Sequence, residues 1–268
     1  MCFDLDSAPP ITPIAGAAIE HKDLELKAAD GTRFRAFHAL PEKRSGNSIV
    51  ILPDVRGLHH YYEELAVRFA EIGVEAVAID YFGRTAGVGA RGDDFDSTPH
   101  VAQTTWAGLS ADISAAVDYL RSQDGAAEGA TSGAKSNAHR KAIFTTGFCM
   151  GGRIAFLSST IGLGLAGVIG FYGWPGGPAR NDTPAPTETV AQMECPILGI
   201  FGGADQGIPV STVQTFRDAL SAAGVENEIV VEPDAPHSFF DRKAAEFQVQ
   251  SDDAWSRVQR FIKRCGAN

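Results

Sequence analysis

The 268-residue sequence predicts an α/β protein: a mostly parallel central sheet flanked by helices, in three layers. Two observations carry this. Short Ile/Val/Leu runs without polar alternation recur along the chain, as expected of strands buried on both faces. Between them lie segments with apolar residues at helical spacing, and a repeated β, α, β, α order implies right-handed crossovers and a parallel sheet. No linker divides the chain, so one domain over residues 1–268 is expected, within the size range of a large single core.

In chain order, residues 1–18 read as an extended, Pro-rich arm. Leu24–Lys27 and Thr32–Ala39 alternate around Asp30-Gly31, a hairpin signal. Ser48–Leu52 is a buried strand. Tyr61–Ile72 places Leu65, Phe69 and Ile72 on one helical face, with Gly73 where a left-handed cap belongs. Val74–Asp80 is the next strand, and Tyr81–Pro99 is an excursion long enough to be functional. Ser110–Leu120 is a helix with Ile113, Val117 and Leu120 inward and Asp112 in its first turn.

Residues 124–140 are small and polar without periodicity and are expected to be a flexible loop. Lys141–Thr146 is a strand, Arg153–Thr160 a helix, Val168–Tyr172 and Ile197–Phe201 strands. Ser211 with Gln214 suggests a capping box for a helix closed by Gly224. Glu226–Val231 is the last strand. A final helix turns Trp255, Val258 and Ile262 inward, with Asp252 and Asp253 in its first turn.

Composition narrows the function. Charged residues at 21% and hydrophobic residues at 44% supply a core without a disorder signature. A net charge of -10 weighs against nucleic acid or an anionic membrane as partner, because each phosphate meets a repulsive field. The start, MCFDLDSAPP, lacks a basic region followed by an apolar one, so a cytoplasmic protein is expected. Cys2, Cys149, Cys195 and Cys265 have no C-x-x-C spacing, which argues against a disulfide framework or thiolate metal site. Ile161–Trp174 is too short and glycine-interrupted to span a bilayer. Neither metal nor cofactor is expected, and the chain is expected as a monomer or homodimer.

The chemistry centres on GFCMGG, residues 147–152. It sets Cys149 between a β-prone run and a helical one in a G-x-C-x-G pattern, the thiol form of a nucleophile elbow. In open α/β sheets ligands bind beyond the carboxyl ends of the strands. There the chain places Cys149, then Asp205 in GGADQGIP, then His237 in PDAPHSF. Nucleophile, acid, histidine is the chain order of the α/β-hydrolase fold. A thiol needs a base, His237 can take its proton, and Asp205 can hold the imidazole tautomer. Tyr81 and Trp174, at strand ends, are candidates for shaping the cleft, and His60, beside His59, for its mouth.

With GFCMGG, GGADQGIP and HSF in place, and YFGRTAG and MCFD beside them, the chain resembles the dienelactone hydrolase family over most of its length. The resemblance implies a single-domain hydrolase that cleaves dienelactones or related small lactones and esters through a cysteine acyl-enzyme, without a metal. It implies that Asp54 in LPDVRG, at the place of a family glutamate, gates the resting thiol. It further implies an oxyanion hole from the Met150 and Val55 N–H groups, and substrate carboxylate binding by Arg242, with Arg91 the nearest candidate for a second arginine. The other expectations open at this point are a broad carboxylesterase or thioesterase on the same triad, and a non-catalytic thiol redox sensor or binding module.

Overall fold

Eight strands form one sheet in the order β1-β2-β4-β3-β5-β6-β7-β8. The computed structural model describes residues 7–92, 94–123, 141–241 and 243–267. The predicted loop at 124–140, the MCFD start and Arg242 lie outside the described residues. Strands β1 (Ile19–Lys27) and β2 (Arg33–Pro41) make the predicted hairpin, and β2 runs antiparallel to β4 (Glu75–Ile79). From β4 onward the sheet is parallel through β3 (Asn47–Leu52), β5 (Ala142–Phe148), β6 (Gly167–Phe171), β7 (Ile197–Gly202) and β8 (Asn227–Glu232). The α/β expectation holds.

Burial follows position in the sheet. Strands β3, β4, β6 and β7 are buried along their full lengths, as their unbroken apolar runs require, whereas the edge strand β8 is mostly half-buried. Helix α1 (His60–Glu71) packs on β2 and β4. Its Phe69 ring meets Trp255 of the last helix, α7 (Gln248–Cys265), at 5.1 Å, which puts these two helices on one face. On the other face, α4 (Trp106–Ser122) contacts α5 (Met150–Ser158), and Phe156 of α5 meets Phe216 of α6 (Val210–Ala222) at 5.0 Å. The excursion after β4 carries two short helices, α2 (Gly83–Ala86) and α3 (Thr98–Val101).

Three predicted helix starts are corrected. Helix α6 begins at Val210 after Pro209 with no side-chain cap, and Gln214 donates to Asp218 instead of closing a box with Ser211. Helix α4 begins at Trp106, where Thr105 accepts the Gly108 N–H at 3.1 Å, so Asp112 lies in its second turn. Helix α7 begins at Gln248, which leaves Asp252 and Asp253 beyond its first turn. Acidic and hydroxyl side chains occur inside helices as well as at their ends, and the apolar period does not tell the two apart. Among the described residues no helix is long and apolar enough to cross a membrane.

Candidate active site

Cys149 occupies the junction of β5 and α5 with φ 55 and ψ -114, a conformation that an L-residue adopts only under strain. The surroundings hold it there. Its N–H donates to the Phe171 carbonyl at 3.0 Å. A Cβ on Gly147 would strike the Gly151 carbonyl, and one on Gly151 would strike the carbonyls of Leu52 and Pro53. Beneath the turn, Phe148 stacks on Phe171 at 4.6 Å, and Phe240 closes the cluster at 4.8 Å from Phe171. The thiol is half-buried at the head of α5, where the helix dipole favours negative charge.

Asp205 and His237 meet directly. His237 Nδ1 lies 2.6 Å from Asp205 Oδ2, and Asp205 Oδ1 accepts the N–H groups of Gly207 at 2.8 Å and Ile208 at 3.2 Å. The carboxylate is thus fixed by its own loop, with the side chain only 2% exposed, while the imidazole stays 32% exposed. The two loops are tied by backbone bonds from Gly203 to the Glu232 carbonyl and from Ala204 to the Ala235 carbonyl. What links the pair to Cys149 is Tyr172. Its ring lies 4.9 Å from that of His237, and it follows Phe171, whose carbonyl holds the Cys149 N–H.

The loop after β3 supplies the facing wall. Asp54 is fully buried; its N–H donates to Tyr62 Oη at 3.0 Å, and its Oδ1 accepts the Arg56 N–H at 2.8 Å. Pro53 accepts from Tyr81 Oη at 2.9 Å, Asp54 O accepts from Gly57, and the Leu58 N–H donates to Asp80 Oδ1 at 3.1 Å. Among the described residues the N–H groups of Val55 and Met150 donate to no protein acceptor. The Tyr81 hydroxyl is held well above the ordinary phenol pKa, first by burial and then by the negative charges of Asp54, Asp80 and Cys149. Tyr81 therefore stands where these groups converge.

The other sequence candidates are placed differently. The Arg91 side chain is buried, and its guanidinium donates to Asp80 Oδ2 at 2.7 Å and to the Ala86 and Gly87 carbonyls, with Phe95 under it at 4.9 Å. His60 stands on the outer face of α1, 69% exposed, within 4 Å of Glu63 and Glu64. Trp174 is partly exposed at the end of β6. Arg242 lies outside the described residues.

Three residues that the sequence reading passed over belong to this assembly. Tyr172 has φ 36 and donates to Asp241 Oδ2 at 2.9 Å; only its place as the last residue of an expected strand hinted at a role. Asp80 joins the loops after β3 and β4 by accepting from Leu58, Phe82 and Arg91. Arg153 is a lone cation on an otherwise apolar helix, which was the signal available. Among the described residues no group of three or more His, Cys, Asp or Glu side chains is placed to hold a metal ion.

Comparison with known proteins gives concordant results. The family described as "Dienelactone hydrolase family" matches residues 34–266. The "Putative carboxymethylenebutenolidase" of Escherichia coli (strain K12) is 30% identical over 271 residues, covering 97% of this chain and 95% of its own. A "Carboxymethylenebutenolidase" of Rhodococcus opacus is 26% identical over 270 residues, covering 98% and 97%. Among solved structures, the "Putative Dienelactone Hydrolase" of Klebsiella pneumoniae subsp. pneumoniae MGH 78578 is similar at a TM-score of 0.73 and 28% identity, covering 92% of this chain and 99% of that one.

Proposed function

The chain belongs to the dienelactone hydrolase family, and from that premise we propose that it hydrolyses a small lactone or ester through a Cys149–His237–Asp205 triad and a thioester acyl-enzyme. The observation that carries the reading is the Asp205–His237 pair, 2.6 Å apart, beside the strained turn that presents Cys149. With Nδ1 facing Asp205, the other ring nitrogen takes the thiol proton in this mechanism.

The sulfur then adds to the carbonyl carbon, the S–C bond forms, and the carbonyl electron pair moves onto oxygen. Val55 and Met150, whose N–H groups have no protein acceptor among the described residues, are the natural donors to that oxyanion. Collapse expels the alkoxide, which takes the proton from His237, and the acyl group remains as a thioester. A water activated by the same imidazole adds to the thioester, and the thiol leaves with the acid as product. In the resting enzyme the buried Asp54 carboxylate acts on the thiol from the side of Tyr81, gating it until substrate enters.

A broad carboxylesterase on the same triad is the second reading, and Arg91 favours it. Its guanidinium is engaged by Asp80 and two carbonyls, which leaves it poorly disposed to a substrate carboxylate.

The test is Cys149→Ala assayed beside the wild type on dienelactone and p-nitrophenyl acetate, with intact-mass analysis of the protein during turnover. Loss of hydrolysis together with loss of an acyl adduct is expected. Undiminished turnover by the variant overturns the mechanism. The ratio of the two substrates' kcat/KM in the wild type, with Arg242→Ala alongside, separates a lactone hydrolase for anionic substrates from a general esterase.

A further inference from the structure

Arg153 sits one helical turn beyond Cys149, only 4% exposed, and among the described residues its guanidinium bonds to neutral oxygens alone. It donates to the carbonyls of Trp174, Gly176, Gly177, Thr183 and Pro184 and to Thr183 Oγ1. No carboxylate lies within ion-pair distance of it among the described residues. Burial accordingly pulls its pKa down to about 10, with Glu188 partly offsetting the effect. A desolvated cation without an anionic partner is destabilising by itself, and here six hydrogen bonds to neutral oxygens offset that cost and fix the groups they reach.

We infer that Arg153 is a positioning residue: it hangs the Trp174–Pro184 segment on the first turn of α5 and so fixes Trp174 as a wall of the substrate cleft beside Cys149. The inference rests on the reading of Cys149 as nucleophile. Its support is the way the segment is fastened. At its near end Gly173 lies in backbone contact with Gly152, since a Cβ on Gly152 would stand 2.9 Å from the Gly173 Cα. At its far end Asn181 Nδ2 donates to Thr104 Oγ1 at 2.9 Å, and Asp182 accepts the Trp106 N–H.

Between these ends the segment approaches α6 at Gly176, where an added Cβ would stand 3.2 Å from Thr212 Cγ2. Beside that contact lies a cleft of about 320 Å³, lined by Gly176, Gly177, Thr187, Ser211 and Thr215 among others. On the α5 side the guanidinium holds the Gly176 and Gly177 carbonyls. A planar fork can reach several diverging carbonyls at once, which the point charge of a lysine cannot do. Trp174, whose Nε1 lies 3.6 Å from where a Cβ on Gly177 would be, moves with whatever holds Gly177.

The test compares Arg153→Lys, Arg153→Gln, Thr183→Val and Trp174→Ala, each checked for folding by circular dichroism. On p-nitrophenyl esters of increasing acyl length, the Arg153 variants and Trp174→Ala should each raise KM about tenfold on the longer esters, with kcat within about threefold of wild type. Alkylation of Cys149 by iodoacetamide should keep its rate. Arg153→Gln combined with Trp174→Ala should be no worse than Trp174→Ala alone.

In a Trp106→Phe, Trp255→Phe background, the Trp174 emission should shift to the red and quench more readily with acrylamide when Arg153 is changed. Folded Arg153 variants with wild-type KM and wild-type Trp174 emission overturn the inference, as do additive effects of the two substitutions. Where Arg153→Gln fails to fold, Arg153→Lys and Thr183→Val decide between the same outcomes. Failure of the underlying mechanism is seen separately, in Cys149→Ala, and the emission readout requires no turnover.

Discussion

At the scale of single residues the arrangement turns on which atom of Asp205 faces which partner. Oδ1 is occupied by the Gly207 and Ile208 N–H groups, so Oδ2 alone addresses His237. Asp205→Asn keeps the first set if its carbonyl oxygen takes the place of Oδ1, and then its NH2 confronts Nδ1. The imidazole must answer by placing its proton on the other nitrogen, where it can no longer accept from a thiol. The expected result is a loss in kcat/KM on the order of 10²–10⁴-fold on p-nitrophenyl acetate, with a thermal midpoint close to wild type. A loss of activity that merely tracks a lowered midpoint would show that Asp205 acts as a loop anchor instead. Tyr172 belongs to the same scale. Its φ of 36 is tolerated because the Ile200 carbonyl takes its N–H at 2.7 Å and Asp241 takes its hydroxyl.

At the scale of elements, the junction of β5 and α5 is held by backbone packed on backbone. The Gly151 Cα lies against the carbonyls of Leu52 and Pro53 at the end of β3, so Gly151→Ala must push α5 away from the strand end that leads into Asp54 and Val55. A destabilisation of roughly 2–4 kcal/mol is expected by urea denaturation, because the colliding atoms are backbone and cannot rotate away. Activity should fall further than stability explains, since Val55 and Met150 would separate. This junction was legible in the sequence because glycines at fixed offsets around Cys149 state the steric requirement locally. The meeting of Asp205 with His237 was legible too, since both follow parallel strands and loops leaving neighbouring strands share one sheet edge. The helix starts at Val210, Trp106 and Gln248 were missed, because the apolar period that marks a helix's inward face does not mark its first turn; the Thr105 side chain, which accepts the Gly108 N–H, is a local cap that the reading passed over. Nor were the parts played by Arg153 and Asp80. Each depends on oxygens or N–H groups delivered from distant segments, and no local pattern announces that convergence.

At the scale of the whole molecule, the sheet's carboxyl edge gathers acids as well as the site, and this makes stability depend on pH. Glu232 ends β8, and its carbonyl holds the Gly203 N–H that ties the Asp205 loop to the His237 loop. Burial raises its carboxyl from 4.5 to about 7, with the nearby charge of Asp253 acting in the same direction. Asp253 is lowered, because Arg257 binds it, so in this pair Glu232 carries the proton and Asp253 the charge. Asp112, fully buried in α4, is likewise raised to about 6 by burial, which outweighs its bond to Arg84. An acid with a raised folded-state pKa binds its proton more tightly in the native chain than in the unfolded one. Its contribution is therefore fully present below the unfolded value and is lost as pH rises through the folded value. For Glu232 that window runs from 4.5 to about 7. Glu232→Gln imitates the protonated acid at every pH. The stability difference between variant and wild type, measured by urea denaturation at pH steps from 4 to 8.5, should move in the variant's favour across this window by roughly 1–3 kcal/mol and then stay level. A difference independent of pH would show that Glu232 titrates in the folded protein as it does in the unfolded chain. The initial rate of ester hydrolysis by Glu232→Gln at pH 8 should match wild type, because the bond that joins the Asp205 and His237 loops is made by the Glu232 backbone and not by its carboxyl.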